Sequence, residues 1–138
     1  MEKTLIILKP DTVKRKLVGE IISRIERKDF TITQLKMMNI SRETAKIHYA
    51  HVANEPFFET MIDFITSGPV VTMIVEGDRV IQTFRCMMGS TSSFESAPGT
   101  IRGDFGSHSF KNLIHASDSP ESSDIEIKRF FPELAVLP

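Results

Sequence analysis

The stretch Asn112-Leu113-Ile114-His115-Ala116-Ser117-Asp118-Ser119, followed by Pro120-Glu121, decides how the rest of the chain is read. Leu113 and Ile114 have the character of a buried strand end. Ser119 with Pro120 is a helix-start signature, serine as cap and proline at the first helical position. His115 therefore falls at a strand-to-helix junction, held by rigid elements beside a cleft. A single histidine is more often structural than catalytic, so its meaning depends on what the fold brings to it.

Outward from this stretch, residues 119–131 are predicted to be a helix with Ile127, Phe130 and Phe131 turned inward. Residues 112–115 form the preceding strand. Residues 89–111 are rich in Gly, Ser and Thr, show no periodicity and are predicted to be a long irregular loop, a type that is usually functional or disordered. Residues 4–8, Thr-Leu-Ile-Ile-Leu, read as a fully buried strand because the apolar run does not alternate, and Pro10 ends it. Val18, Ile21, Ile22 and Ile25 recur at helical spacing. Residues 30–40 form a second strand whose apolar parity switches, which a bulge near Thr33-Gln34 or burial on both faces would explain. Further helices are expected over 42–49, after Ser41, and from Pro56 through Ile65. Ser67-Gly68-Pro69 ends the latter, and residues 70–75 form a third strand. Val80, Ile81, Phe84, Met87 and Met88 mark another helix.

This order of elements predicts an α+β, ferredoxin-like fold, a four-stranded antiparallel sheet with helices packed on it, on one face. Residues 1–138 read as one domain. A half-covered sheet leaves apolar surface, so self-association is expected.

Hydrophobic residues make up 41% and charged residues 25% of the 138, ordinary values for a globular protein. Seventeen basic against eighteen acidic side chains give a net charge of −1, which argues against general nucleic-acid affinity. Any anion site must be local. The single cysteine, Cys86, excludes an internal disulfide and a cysteine-rich zinc site. The N-terminal apolar run, Leu5 to Leu8, is too short for a signal segment or a membrane span, so the expected compartment is the cytoplasm.

Chemistry gathers around a few residues. Gly99-Thr100-Ile101-Arg102-Gly103-Asp104-Phe105-Gly106 combines glycines that allow close approach of main-chain amides with an arginine fork for phosphate oxygens, or it is a flexible surface loop with a solvated arginine. Lys9, at the end of a buried strand, either snorkels to solvent or points into a cleft. Arg85 lies on an otherwise apolar helix. Histidine can act as a covalent nucleophile through one ring nitrogen while the other needs an acceptor, and Glu126 is the nearest acidic candidate. Phosphoryl transfer needs little beyond alignment and charge stabilisation.

With these residues in view, the chain closely resembles the nucleoside diphosphate kinase family. The 112–119 stretch is similar to that family's active-site signature. The match extends through Gly99–Phe105, Ser67-Gly68-Pro69-Val70-Val71, His48-Tyr49, Pro56-Phe57-Phe58 and Ile7-Leu8-Lys9-Pro10-Asp11, in the family's order. The resemblance implies a ping-pong reaction in which a nucleoside triphosphate phosphorylates His115 on its pros nitrogen and a nucleoside diphosphate then takes the group. It implies that Lys9, Tyr49, Arg85, Thr91, Arg102 and Asn112 contact phosphate and sugar, that Phe57 stacks on the base, and that Ser117 and Glu126 support the histidine. Stacking gives affinity without base identity. It also implies Mg²⁺ carried by the phosphates, with Asp118 the nearest acidic group for a contact through water. A bacterial-type homo-oligomer, tetramer or hexamer, is the expected assembly.

The chain departs from the family pattern where Ser92-Ser93 stands in place of the usual Asn-Pro, in a loop that takes part in the family's subunit contacts. The second wall of the base site falls to Ser109 or Phe110. His48, His51 and His108 match no catalytic role and read as structural or exposed. Two other classes remain to be weighed, a nucleotide-binding module without turnover and a sequence-specific nucleic-acid protein, and the near-neutral charge opposes the second.

Overall fold

The computed structural model describes residues 1–109 and 111–136, with side chains as far as Leu134. Four strands, β1 (Glu2–Leu8), β2 (Thr31–Met38), β3 (Val70–Gly77) and β4 (Ile114–Ala116), form one antiparallel sheet in the order β2-β3-β1-β4. Among the described residues seven α-helices accompany them, six before β4 and one after it: α1 (Pro10–Lys14), α2 (Val18–Arg27), α3 (Arg42–His48), α4 (Phe58–Ile65), α5 (Val80–Met88), α6 (Ile101–Phe105) and α7 (Pro120–Phe130). This is the expected ferredoxin-like α+β fold.

The sheet is covered on both faces rather than one. Ile6 and Leu8 of β1, with Val71, Met73 and Val75 of β3, pack against Ile21 and Ile25 of α2 and Phe84 of α5. Leu5, Ile7, Val70 and Ile74 point the other way, against Ile62 and Ile65 of α4 and Phe130 at the end of α7. The cause is in the sequence itself: an apolar run without alternation puts hydrophobic side chains on both faces, and each face must then be covered. The β2 bulge is present, as a register shift between Ile32 and Gln34. As the edge strand, β2 leaves Leu35 and Met37 exposed.

Local differences have local reasons. Pro10 ends β1 but also opens α1, since proline at the first helical position lacks only a donor that would be unpaired there. Pro56 lies in a turn, and α4 starts at Phe58. The stretch 89–111 is not structureless: it holds a 3₁₀ turn, Ser93–Glu95, and α6, capped by the Thr100 side chain on the Gly103 amide. The last strand begins at Ile114, not Asn112. Leu113, fully buried, has φ of 77°, and the Ile114 amide donates to the Asn112 carbonyl at 2.9 Å, which makes a γ-turn centred on Leu113. A leucine adopts this strained conformation only when its surroundings over-determine it. Here its amide donates to Asp11 Oδ2 at 3.1 Å, and its carbonyl accepts from Thr12 Oγ1 at 2.6 Å and from the Lys9 amide at 2.8 Å.

Candidate active site

That pinned γ-turn delivers Asn112 and His115 to one end of the sheet, where Lys9 leaves β1. His115 pairs with Ile7 in the β1–β4 ladder, which aims its side chain toward the face covered by α3 and α7. Ser119 accepts from the Ser122 amide at 3.0 Å and so starts α7, and two turns later α7 presents Glu126. His115 Nε2 lies 2.9 Å from Glu126 Oε1. Ser117 Oγ donates to the same oxygen at 2.7 Å and accepts from the Leu5 amide at 3.0 Å. Burial pushes the Glu126 pKa up, but the hydrogen bond and charge of His115 and the Ser117 hydroxyl outweigh it and hold the group below its usual range. An ionised carboxylate only accepts, so the hydrogen sits on His115 Nε2 and the lone pair on Nδ1.

A cleft of about 1080 Å³ opens at this point, of the size that takes a nucleotide. Lys9, Tyr49, Phe57, Arg85, Thr91, Arg102, Asn112, His115, Asp118 and Glu126 all line it, whereas Ser117 stands behind Glu126, fully buried. Ser109 also lines the cleft; Phe110, the alternative second wall, lies outside the described residues. Phe57 is 40% exposed and Phe58 packs into the core, so the two adjacent rings divide the surface and core positions between them.

Three cations converge, and among the described residues none of them is in an ion pair. Lys9 Nζ donates to Asn112 Oδ1 at 2.8 Å, and Asn112 Nδ2 donates to the Thr91 carbonyl at 2.7 Å. Arg102, 4% exposed, spreads its guanidinium over the carbonyls of Gly89, Ser90, Asn112 and Ile114 at 2.6 to 3.4 Å. Arg85 Nη1 donates to the Ala116 carbonyl at 3.2 Å. Burial lowers the Lys9 ammonium to about 7; Arg102 adds to this and Asp11 opposes it. Burial and then Arg85 bring Arg102 down to about 10. Burial pushes the Tyr49 hydroxyl up, with Glu126 adding to it.

Sequence reasoning missed several contributors. Asp11 and Thr12 pin Leu113, and the only local sign was their place beside Lys9-Pro10. Arg129 lines the cleft with its Nη1 2.9 Å from His48 Nδ1. Its position three residues after Glu126 puts both on one face of α7, a signal legible in the sequence. His48 is buried as expected of a structural residue, yet its ring centroid is 4.6 Å from that of His115 at 78°.

The comparisons agree with this geometry. A family model described as nucleoside diphosphate kinase matches residues 2–136. The nucleoside diphosphate kinase of Acetivibrio thermocellus is 69% identical, over 97% of this chain and 98% of that protein. A solved nucleoside diphosphate kinase from Encephalitozoon cuniculi superposes with a TM-score of 0.95 at 38% identity, over 100% of this chain and 93% of that one. A halophilic nucleoside diphosphate kinase from Halobacterium salinarum, in complex with CDP, gives a TM-score of 0.92 at 43% identity, over 94% and 87% of the two chains. With the whole sheet, its helices and nearly every residue of the cleft inside these matches, the chain belongs to the nucleoside diphosphate kinase family.

Proposed function

We propose that this chain moves the terminal phosphoryl group of a nucleoside triphosphate to a nucleoside diphosphate in two steps through His115. The observation that carries the reading is the His115 Nε2 to Glu126 contact at 2.9 Å inside a cleft walled by Lys9, Arg85 and Arg102. Nδ1 attacks the terminal phosphorus, a nitrogen–phosphorus bond forms, and the phosphorus–oxygen bond to the leaving diphosphate breaks. The second diphosphate reverses both events. Glu126, fixed by Ser117, holds the Nε2 hydrogen and stabilises the positive ring that phosphorylation creates. Lys9, Arg85 and Arg102 take up charge on the leaving phosphate oxygens, Asn112 and Thr91 orient them, Tyr49 bounds the pocket beside the histidine, and Phe57 stacks on the base. The relative crystallised with CDP supports a nucleotide as the occupant.

Kinases of this kind use a divalent ion, and Mg²⁺ is the proposed one. Among the described residues one group of three metal-ligand types lies close together, His48, His115 and Glu126, within 4.8 Å. Two imidazoles and one carboxylate are not the all-oxygen set that Mg²⁺ requires. The cleft therefore fits an ion whose ligands are phosphate and water oxygens, with exposed Asp118 at the rim in reach of one of those waters. Bound in that way it would neutralise phosphate charge. Exposed Leu35 and Met37 on edge strand β2 support a homo-oligomer, tetramer or hexamer, which light scattering separates. No helix among the described residues is long and apolar enough to cross a membrane, and the proposed compartment is the cytoplasm. The family match over 2–136 supports reading 1–138 as one domain.

The test is incubation with γ-labelled ATP and Mg²⁺. The protein is expected to gain an acid-labile, base-stable phosphate, and His115→Ala to lose it. Retention of label in that variant would overturn the assignment.

A further inference from the structure

We infer that Arg129 is a positioning residue for His115, acting through His48: its guanidinium fixes the tautomer of His48 and holds that ring edge-on against the nucleophile. The inference rests on the reading of His115 as the phosphorylated residue.

Arg129 Nη1 lies 2.9 Å from His48 Nδ1. An arginine nitrogen can only donate, so Nδ1 must accept, and a neutral imidazole then carries its hydrogen on Nε2. A protonated His48 would set two N–H groups against each other at this distance. The ring has no room to escape, because its centroid is 4.9 Å from Tyr49, 4.6 Å from His115 and 5.2 Å from Phe130, all edge-to-face. His48 is thus one wall of the space in which His115 turns.

One helix sets both ends of this arrangement. Glu126 fixes His115 Nε2 and Arg129, three residues on, fixes His48 Nδ1, so α7 holds the two imidazoles in a constant relation. The groups around His48 are Arg129 and Glu126 from α7, His115 from β4, Lys9 at the end of β1, and Tyr49 and His51 from its own segment. Burial first, then the charges of His115, Arg129, Lys9 and His51, keep His48 unprotonated, down to about 2. Removing Arg129 frees Nδ1. The ring, still enclosed by its three neighbours, can then take the other tautomer, and the wall beside His115 loses its fixed pattern of donor and acceptor.

The test compares Arg129→Leu and Arg129→Lys with the parent chain. Ring nitrogen shifts are read by long-range nitrogen–proton NMR without nucleotide, and single-turnover phosphorylation is followed from about pH 5 to 8. In the parent, His48 is expected to show one tautomer, hydrogen on Nε2, across that range. Arg129→Leu should show mixed tautomers, a phosphorylation rate lowered about five- to fifty-fold, and nucleotide affinity within about twofold of the parent. Arg129→Lys, which restores a donor, should recover most of the rate. An unchanged nitrogen pattern in Arg129→Leu overturns the inference, and so does a loss confined to nucleotide affinity. Failure of the phosphohistidine reading is distinct: the parent chain itself would then take no label, whatever the tautomer of His48.

Discussion

Ser117 joins the site to the sheet, and Ser117→Ala separates the two roles. In the folded chain its hydroxyl accepts from the Leu5 amide at 3.0 Å and donates to Glu126 at 2.7 Å, and the residue is fully buried. Alanine leaves the Leu5 N–H in the middle of β1 with no partner and no access to water, a cost of about 1–3 kcal/mol. Glu126 loses one of two bonds to an ionised oxygen, worth about 1.5–3 kcal/mol, of which water at the cleft returns part. The sum is about 3 kcal/mol, measurable by urea unfolding at fixed protein concentration, since assembly adds to apparent stability. The pH dependence should change with it. Glu126 titrates below the usual carboxylate range in the fold, so its stabilisation is complete above the unfolded-state value and is lost as pH falls through the lowered one. Without Ser117 the folded-state value moves back toward the unfolded one, so the loss is smaller and is complete at a higher pH. Phosphorylation should fall less than about tenfold, because the 2.9 Å contact between His115 and Glu126 survives. A stability change under about 1 kcal/mol, with activity abolished, would refute the assignment of a structural role to this hydroxyl.

Two further outcomes follow from the cations and from α6. Lys9, lowered to about 7, is mostly neutral at about pH 8, and a bound polyphosphate favours its charged form; nucleotide binding should therefore take up roughly 0.5–0.9 proton per site at that pH. Calorimetry in buffers of different ionisation enthalpy measures this, and an equal proton count in Lys9→Met would sink it. A methyl group on Gly103 would overlap the Ala97 carbonyl and sit 2.7 Å from Thr100 Oγ1, so Gly103→Ala should cost about 3 kcal/mol and weaken nucleotide binding by displacing Arg102 one residue away. An unchanged unfolding midpoint would contradict that packing.

Much of the fold was legible because its signals are local. The unbroken apolar run of β1, the parity switch in β2 and the Ser119-Pro120 start of α7 each report on their own segment. Both-face coverage was also written in β1 and β3, but its consequence for helix placement is a property of the whole sheet. The γ-turn at Leu113 could not be read locally, since the groups that hold it, Asp11 and Thr12, lie about one hundred residues earlier. The loop over 89–111 hid α6 because five residues are too few for a periodic pattern. Most of the residues that line the cleft were singled out through the resemblance rather than through chemistry alone. Arg129 was missed because the histidine it contacts lies in a different segment.

The anchoring of the three cations has a consequence for how the cleft fills. Among the ion pairs of the described residues none involves Lys9, Arg85 or Arg102; these side chains rest on carbonyl and amide oxygens instead. Dipoles steady a cation without cancelling its field. A nucleotide therefore enters without prying apart a carboxylate clamp, and its arrival is governed by diffusion, ionic strength and competing anions rather than by an opening step.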